Sequence, residues 1–298
     1  MTQQPIVVGF DDSPASREAL SWAMRTAHSR SADVLLVHAA KTFPPMVVGH
    51  RTYVAFPHEI EVDAGEAVLQ AGKLLAARLD PRVRVSAELV DDAPAAGILR
   101  VLDDAAMVVV GSRGLGGFKG LLLGSAGTQL AAHCRAPLVV VRPVGDRGNL
   151  GAAPPHRPVV VGVDGASNCQ ATLAFAFDEA AARGVALYAR YAWWSLEPGE
   201  LGPPARLYDL EVAEDEARRL LSESVAGWRD KYPDVPVHLE PVRAPNPYLV
   251  LIEDSQDFGL LVVSRRGGNT LSRLLLAAVG DVAVREAHCP VAVVPEPE

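Results

Sequence analysis

The amino-acid sequence predicts an α/β fold: two tandem copies of a doubly wound, five-stranded parallel sheet with helices on both faces. Short apolar, β-branched segments alternate with segments of helical periodicity, which is typical of a parallel sheet covered on both sides. The same series of segments occurs twice, and a Pro- and Gly-rich stretch without apolar periodicity separates the two series.

The elements of the first copy follow one another in strand–helix order. The apolar run 5–10 predicts a strand, and Ser13-Pro14 predicts an N-cap followed by the first helical residue. The predicted strands are 5–10, 33–39, 83–90, 106–111 and 137–142, and the predicted helices are 14–30, 59–79, 94–104 and 124–133. Residues 41–57 match neither pattern, so we expect an irregular segment there, for which a lid over a ligand is one role.

The second copy repeats the first with a constant offset of 153 residues. Three landmarks recur at this distance: Gly9 as Gly162, Gly114 as Gly267, and Pro137 as Pro290. Chance similarity does not keep one register at three separate places, so we interpret the repeat as a duplication. We predict domains at 1–144 and 158–298 joined by a linker at 145–157. The predicted helices of the second copy lie near 168–183, 206–231, 247–255 and 277–287.

Composition narrows the classes of protein. The 298 residues carry a formal net charge of −8, from 36 acidic and 28 basic side chains, which disfavours nucleic-acid binding because phosphate neutralisation needs clustered Lys and Arg. The three cysteines lack the spacing of a zinc site or a disulfide framework. No apolar run approaches the roughly 20 residues of a membrane span, and the first residues lack the pattern of a secretory signal. We expect a cytoplasmic protein that binds neither membranes nor nucleic acid and has no metal site.

A glycine motif follows the fourth predicted strand. It reads Gly111-x2-Gly114-x9-Gly124-Ser125. Glycines at a strand end let the backbone approach a phosphate and present N–H groups to it. The N-terminus of the next helix adds unpaired N–H donors. The motif therefore predicts phosphate binding, and the alternative is a Gly-rich loop that only serves packing.

Two better-known phosphate motifs are absent. Lys119 does not lie in the frame of a Walker loop, and Gly114-x-Gly116 lacks the third glycine of the dinucleotide motif. No Ser/His/Asp set or carboxylate pair has a spacing that supports catalysis. We therefore assign no catalytic residue, and slow hydrolysis of a bound phosphate compound is the most activity that we expect.

With these residues in place, the chain resembles a tandem universal stress protein over nearly all its length. The resemblance rests on VVGFDDSPASREALSWA (7–23), LLVHA (35–39), the glycine motif and CRAPLVVV (134–141). It implies that ATP, with or without Mg²⁺, binds at the strand ends of the first copy. The implied adenosine contacts are Gly9, Phe10, Asp11 and Ala39. The implied phosphate contacts are Gly111, Arg113, Gly114, Gly124 and Ser125, with the backbone of Ala126 and Gly127.

Asp11 has an alternative role, because a carboxylate after the first strand could also cap the following helix. In the second copy, the motif is degenerate: Ser264 replaces Gly111, Ala277 replaces Gly124 and Ala278 replaces Ser125. An alanine Cβ would intrude where a phosphate should touch the backbone. We therefore expect the second copy to bind ATP weakly or not at all.

Three functions remain open at this point. The favoured one is an ATP-binding regulator of the stress response that senses or stores nucleotide. The second is a slow phosphotransfer or hydrolytic enzyme that uses Asp11 or Asp12 with a divalent metal, and the third is a nucleotide-free protein-interaction module. We further expect self-association through the edge strands 137–142 and 291–294, together with a regulatory protein partner that the sequence does not identify.

Overall fold

The structure is a computed structural model in which two compact units divide the chain, Met1–Val144 and Gly145–Glu298. The structure describes residues 4–40, 46–48, 51–53, 58–102, 105–114, 123–142, 156–163, 169–193, 210–244, 247–265, 280 and 282–297. Within this part of the chain, none of the helices has the length and apolar composition needed to cross a membrane.

The first unit contains a parallel sheet of five strands in the order β7-β6-β1-β2-β5. Its elements are β1 (Ile6–Gly9), α1 (Pro14–Arg30), β2 (Val34–Ala39), β3 (Met46–Val48), β4 (Arg51–Tyr53), α2 (His58–Leu79), β5 (Val85–Val90), α3 (Pro94–Arg100), β6 (Met107–Gly111), α4 (Ser125–His133) and β7 (Leu138–Val141). The strand order reverses between β1 and β6. In an open α/β sheet, such a reversal opens a crevice at the carboxyl ends of the strands, where ligands bind.

Helices cover both faces of this sheet, as the apolar strands require. A Cβ atom built on Gly9 would contact Ile98 of α3 and Val110 of β6. A Cβ atom built on Gly111, the residue after Val110, would instead contact Ala15 of α1. Because neighbouring residues of a strand point to opposite faces, α1 and α3 lie on opposite sides of the sheet. The doubly wound fold is therefore confirmed.

The start of α1 also agrees with the sequence prediction. The backbone N–H of Ser16 donates to Oγ of Ser13 at 3.2 Å, and Pro14 occupies the first turn. Ser13 is thus the N-cap, since its hydroxyl satisfies one of the N–H groups that a helix N-terminus leaves unpaired.

The second unit repeats the topology, with strand order β10-β9-β8-β11-β12 and parallel pairing throughout. Its elements are β8 (Val159–Val163), α5 (Gln170–Arg183), β9 (Leu187–Trp193), α6 (Leu210–Lys231), β10 (Val237–Arg243), α7 (Pro247–Glu253), a 3₁₀ turn (Ser255–Asp257), β11 (Leu260–Arg265) and β12 (Val291–Pro295), and residues 282–286 are helical. Gly162 packs against Leu251 as Gly9 packs against Ile98. The internal repeat is thus structural as well as sequential.

Two predictions for the first unit need correction. Within 41–57, where we expected irregular chain, β3 and β4 form an antiparallel ladder that pairs Val47 with Thr52. Helix α3 ends at Arg100 instead of residue 104, because the N–H of Val101 bonds to Ile98 in a tighter turn that closes the helix.

The N-terminus of α5 is capped by a residue from the end of the chain. Oε2 of Glu296 accepts the N–H of Ala171 at 3.0 Å, and Oε1 accepts the N–H of Thr172 at 3.0 Å. The N-cap residue itself, Cys169, makes no side-chain cap. The carboxylate therefore supplies both the missing acceptors and the negative charge that a helix N-terminus favours.

Candidate functional site

A cleft opens in the first unit at the carboxyl ends of β1, β2 and β6. Its empty space, including the mouth that is open to solvent, is about 590 Å³. The cleft is lined by Gly9, Phe10, Asp11, Ser16, Val37, His38, Ala39, Pro94, Ile98, Val110, Gly111, Ser112, Arg113, Gly114, Gly124, Ala126 and Gly127. The structure thus brings together every site residue predicted from the sequence except Ser125, which begins α4 with an exposed side chain.

Asp11 joins the end of β1 to the loop that follows β6. Its Oδ1 accepts the N–H of Ser13 at 3.1 Å, and its Oδ2 lies 2.5 Å from the position that a Cβ of Gly114 would occupy. The Ser13 hydroxyl in turn donates to the carbonyl of Arg113 at 3.4 Å. Asp11 therefore supports the turn before α1, while Ser13 is the cap of that helix, and the carboxylate stands beside the glycine loop.

Asp12, in contrast to Asp11, forms an ion pair with Arg17. It adopts φ of +62°, a left-handed conformation that Asp tolerates better than most residues. Both of its carboxylate oxygens accept hydrogen bonds from Arg17 at 2.8 Å. These bonds raise the pKa of Arg17 above its usual value.

One side of the cleft is apolar and suits a flat ring. Phe10 is 2% exposed, and Ile98 of α3 lies opposite the end of β1. His38 completes this side, with Nδ1 2.7 Å from the carbonyl oxygen of Phe10. Because a carbonyl can only accept, Nδ1 carries the proton in this hydrogen bond. This apolar side of the cleft is thus held in place by backbone and packing contacts that do not need a ligand.

The glycines of the motif have different physical reasons to be glycine. A Cβ on Gly111 would lie 2.6 Å from the backbone carbon of Ala15, so α1 packs directly on the strand there. A Cβ on Gly124 would have only ordinary contacts, at 3.7 Å from the carbonyl oxygen of Ser112 and 3.8 Å from Cα of Arg113. Packing of the described residues explains Gly111 and does not explain Gly124. The described contacts therefore give Gly111 a packing reason to be glycine and give Gly124 none.

Helix α4 presents an uncapped N-terminus to the cleft. Gly124 is its N-cap residue, with φ of −72° and ψ of 160°, and has no side chain to cap it. The N–H of Gly124 is already engaged, because it donates to the carbonyl of Ser112 at 2.9 Å. The N–H groups of Ser125, Ala126 and Gly127 have no acceptor within the helix. The first turn of α4 therefore presents N–H donors and partial positive charge beside the cleft.

Ser112 is a lining residue that sequence reasoning missed. It is 0% exposed, and its Oγ has no hydrogen-bond partner in the structure described here. In the sequence it occupies one of the x positions of the glycine motif, so the motif spacing identifies the glycines and not this serine. The sequence feature that could have identified Ser112 is its position directly after the end of β6.

Metal ligands are few around the cleft. Among the residues that the structure describes, no group of three or more His, Cys, Asp or Glu is placed to hold a metal ion. Among the described lining residues, Asp11 is the only acidic one.

Comparisons with known proteins agree with the fold and the duplication. The model of the universal stress protein family matches twice, at residues 3–142 and 155–295. A universal stress protein of Mycolicibacterium smegmatis is 35% identical over 299 residues, which cover 98% of this chain and 97% of that protein. The chain therefore belongs to the universal stress protein family, as a member with two tandem domains.

Solved structures give the same architecture. A universal stress protein from Archaeoglobus fulgidus has a TM-score of 0.65 and 15% identity, and the match covers 99% of both chains. A second protein of that organism, solved in complex with dAMP, is 21% identical, with a TM-score of 0.37 over 47% of this chain and 99% of its own. The first of these comparisons supports the tandem α/β fold.

The motif of the second unit lies mostly outside the described residues. Ser264 belongs to β11, whereas Gly267, Ala277 and Ala278 are not described. The loss of nucleotide binding in the second unit stays a prediction.

Proposed function

We propose that the first unit binds ATP in the cleft at the ends of β1, β2 and β6, and that the protein acts as a nucleotide-dependent regulator of the stress response. The adenosine would lie against the apolar side formed by Phe10, Ile98 and Ala39. The phosphates would lie at the first turn of α4, bordered by Arg113 and Gly114. Membership of the universal stress protein family supports the stress-response role.

The observation that carries this proposal is the environment of Gly124. Among the described residues, a Cβ at Gly124 would make only ordinary contacts, and the backbone angles of this residue are ones that any amino acid adopts. Directly beyond it, the N–H groups of the first turn of α4 have no acceptor within the helix. An anionic group that touches the Gly124 backbone would use both features. A ligand would then explain a glycine that neither the backbone conformation nor the packing of the described residues requires.

Three proteins, titrated calorimetrically with ATP and Mg²⁺, test the proposal: the wild type, Gly124→Ala and Gly227→Ala. Gly227 is the matched control, because it lies in α6 of the second unit with nothing within 4 Å of a Cβ. We expect about one ATP per wild-type chain, a Kd at least tenfold higher for Gly124→Ala, and wild-type binding for Gly227→Ala. Thermal melts without ligand should show that Gly124→Ala remains folded. A wild type that is free of nucleotide and does not bind ATP would contradict the proposal and favour an interaction module.

Activity as an ATP-dependent enzyme is the weaker alternative. Asp12 has both oxygens bonded to Arg17, and Asp11 has one oxygen bonded to the turn before α1. Among the described residues, no group of three or more His, Cys, Asp or Glu that could hold a metal ion includes either of them. We expect at most slow hydrolysis, with the same rate for Asp12→Asn as for the wild type. A rate that drops with this substitution would favour the enzyme.

Self-association and a protein partner remain proposals. The expectation of association rests on β7 and β12, which are the final strands of the order within their own units. Sedimentation of the full chain with and without ATP would report the oligomeric state. A single monomeric species at all concentrations would argue against further self-association of the protein.

A further inference from the structure

The Ser112 side chain lies at the junction between β6 and α4. The carbonyl of this residue accepts the N–H of Gly124 at 2.9 Å, so Ser112 lies directly beside the N-cap of the helix. It also lines the same cleft as Ala126 and Gly127 of the first turn of α4. A group that reaches this turn from the cleft therefore passes next to Ser112.

The hydroxyl of Ser112 is in an unusual state for a buried polar group. The residue is 0% exposed and its Oγ has no partner in the part of the chain that the structure describes. A buried hydroxyl without a hydrogen bond is costly, and native proteins rarely leave one so. By contrast, the other buried serines near α1 are satisfied: Ser16 donates to the carbonyl of Ser13, and Ser13 accepts the N–H of Ser16.

From these two observations we infer that the Ser112 hydroxyl is a ligand-binding donor, which gives a hydrogen bond to a phosphate oxygen held at the N-terminus of α4. The inference rests on the proposed ATP site and deepens it, because it assigns a phosphate contact to a residue that is not one of the motif glycines. The free protein carries the cost of the unpaired hydroxyl, and that cost is removed when the anion binds. Phosphate oxygens suit this role, because they accept several hydrogen bonds at once, from the hydroxyl and from the backbone of α4.

The proposal predicts that a substitution of Ser112 has opposite effects on the stability of the free protein and on its affinity for ATP. Replacing Ser112 by Ala removes a buried oxygen that has no partner, so the free protein should melt at the same temperature or higher. The variant should bind ATP less tightly, because the phosphate loses one donor. If Ser112 only supported the fold, the substitution would have the reverse effects: it would lower the melting temperature and leave the affinity for ATP unchanged.

The test compares Ser112→Ala with the wild type and with Ser255→Ala in the full chain. Ser255 is a matched control in the second unit, because it is also 0% exposed but is satisfied by the carbonyl of Ile252 and the N–H of His288. Melting temperatures are measured without ligand, and affinities for ATP and for adenosine are measured by competition against a fluorescent ATP analogue.

For Ser112→Ala we expect the Kd for ATP to rise about tenfold, the Kd for adenosine to stay within twofold, and the melting temperature not to fall. Ser255→Ala should lower the melting temperature and leave both affinities unchanged. If Ser112→Ala has the same ratio of ATP affinity to adenosine affinity as the wild type, the assignment of Ser112 is overturned and the ATP site stays in place. A wild type that binds neither ligand would instead overturn the proposed function itself.

Discussion

The carboxylate of Asp11 lies against the α-carbon of Gly114, with Oδ2 2.5 Å from the position of a Cβ at that residue. The contact joins the end of β1 to the loop after β6 across the point where the strand order reverses. It can exist only because residue 114 has no side chain. Gly114 is therefore needed for the observed position of the carboxylate.

Substituting Gly114→Ala should displace the Asp11 carboxylate and break its hydrogen bond with the N–H of Ser13. We expect a loss of about 1 kcal/mol in the free energy of unfolding and weaker binding of ATP. Chemical denaturation of Gly114→Ala, Asp11→Ala and the double variant measures the coupling. The Gly114→Ala substitution should lower the free energy of unfolding by less in the Asp11→Ala variant than in the wild type. Equal losses in both backgrounds would contradict the contact.

The substitution Gly111→Ala should affect folding and not only binding. Its Cβ would lie 2.6 Å from a backbone atom of Ala15, which cannot move without shifting α1. We expect destabilisation of the first unit by about 3 kcal/mol. Hydrogen exchange should become faster in α1 and β6, with the second unit unchanged. Gly124→Ala is the paired control, and equal exchange rates in both variants would show that α1 adapts without cost.

The buried Arg190 should stabilise the second unit through an ion pair. Its side chain is 9% exposed, its Nε donates to Glu240 at 2.8 Å, and its NH1 donates to the carbonyl of Val250 in α7 at 2.8 Å. Arg190→Met leaves both acceptors without this donor, and we expect a loss of about 2–3 kcal/mol in the second unit. Exchange in β9 and α7 should rise, while ATP binding stays at the wild-type level.

Asp80 should make the stability of the first unit depend on acid pH. Hydrogen bonds from Arg82 lower the pKa of this carboxyl to about 2, below its usual value of 3.8. A carboxyl with a lowered pKa stabilises the fold above its unfolded pKa and loses that effect as pH falls through its folded pKa. Asp80→Asn should therefore be less stable than the wild type at pH 7, and the difference should disappear between about pH 4 and pH 2. Denaturation curves of both proteins, measured across this pH range, check the prediction. A difference in the free energy of unfolding that stays constant with pH would point to another cause.

The fold could be read from the sequence because its signals are local. Strands such as β6 are continuous apolar runs, and Ser13-Pro14 marks the start of α1 with chemistry that does not depend on distant residues. The β3–β4 ladder escaped prediction because it joins two strands of three residues each within a segment of mixed composition. Such short strands carry too little periodicity to be recognised.

The site was predictable only in part, for a different reason. Spacing identified Gly111 and Gly124 together, yet it could not distinguish a glycine required by α1 from one that the packing of the described residues does not require. That distinction depends on Ala15, which lies almost a hundred positions earlier in the chain. Nor could spacing identify Ser112, because the absence of a partner for its hydroxyl is a property of the packed structure.

Helix α5 begins at Gln170, which corresponds to Arg17 in the interior of α1, and its first N–H groups bond to Glu296. In this copy Ser264 stands where Gly111 packs against Ala15, and Ala166 stands where Ser13 caps the helix. The two copies therefore differ at the end of the strand, at the cap residue and at the first residue of the helix. Reverting Ser264 to glycine would remove the first of these differences and leave the other two, because α5 would still begin at Gln170 with its N–H groups bonded to Glu296. No single substitution therefore converts the start of α5 into the start of α1.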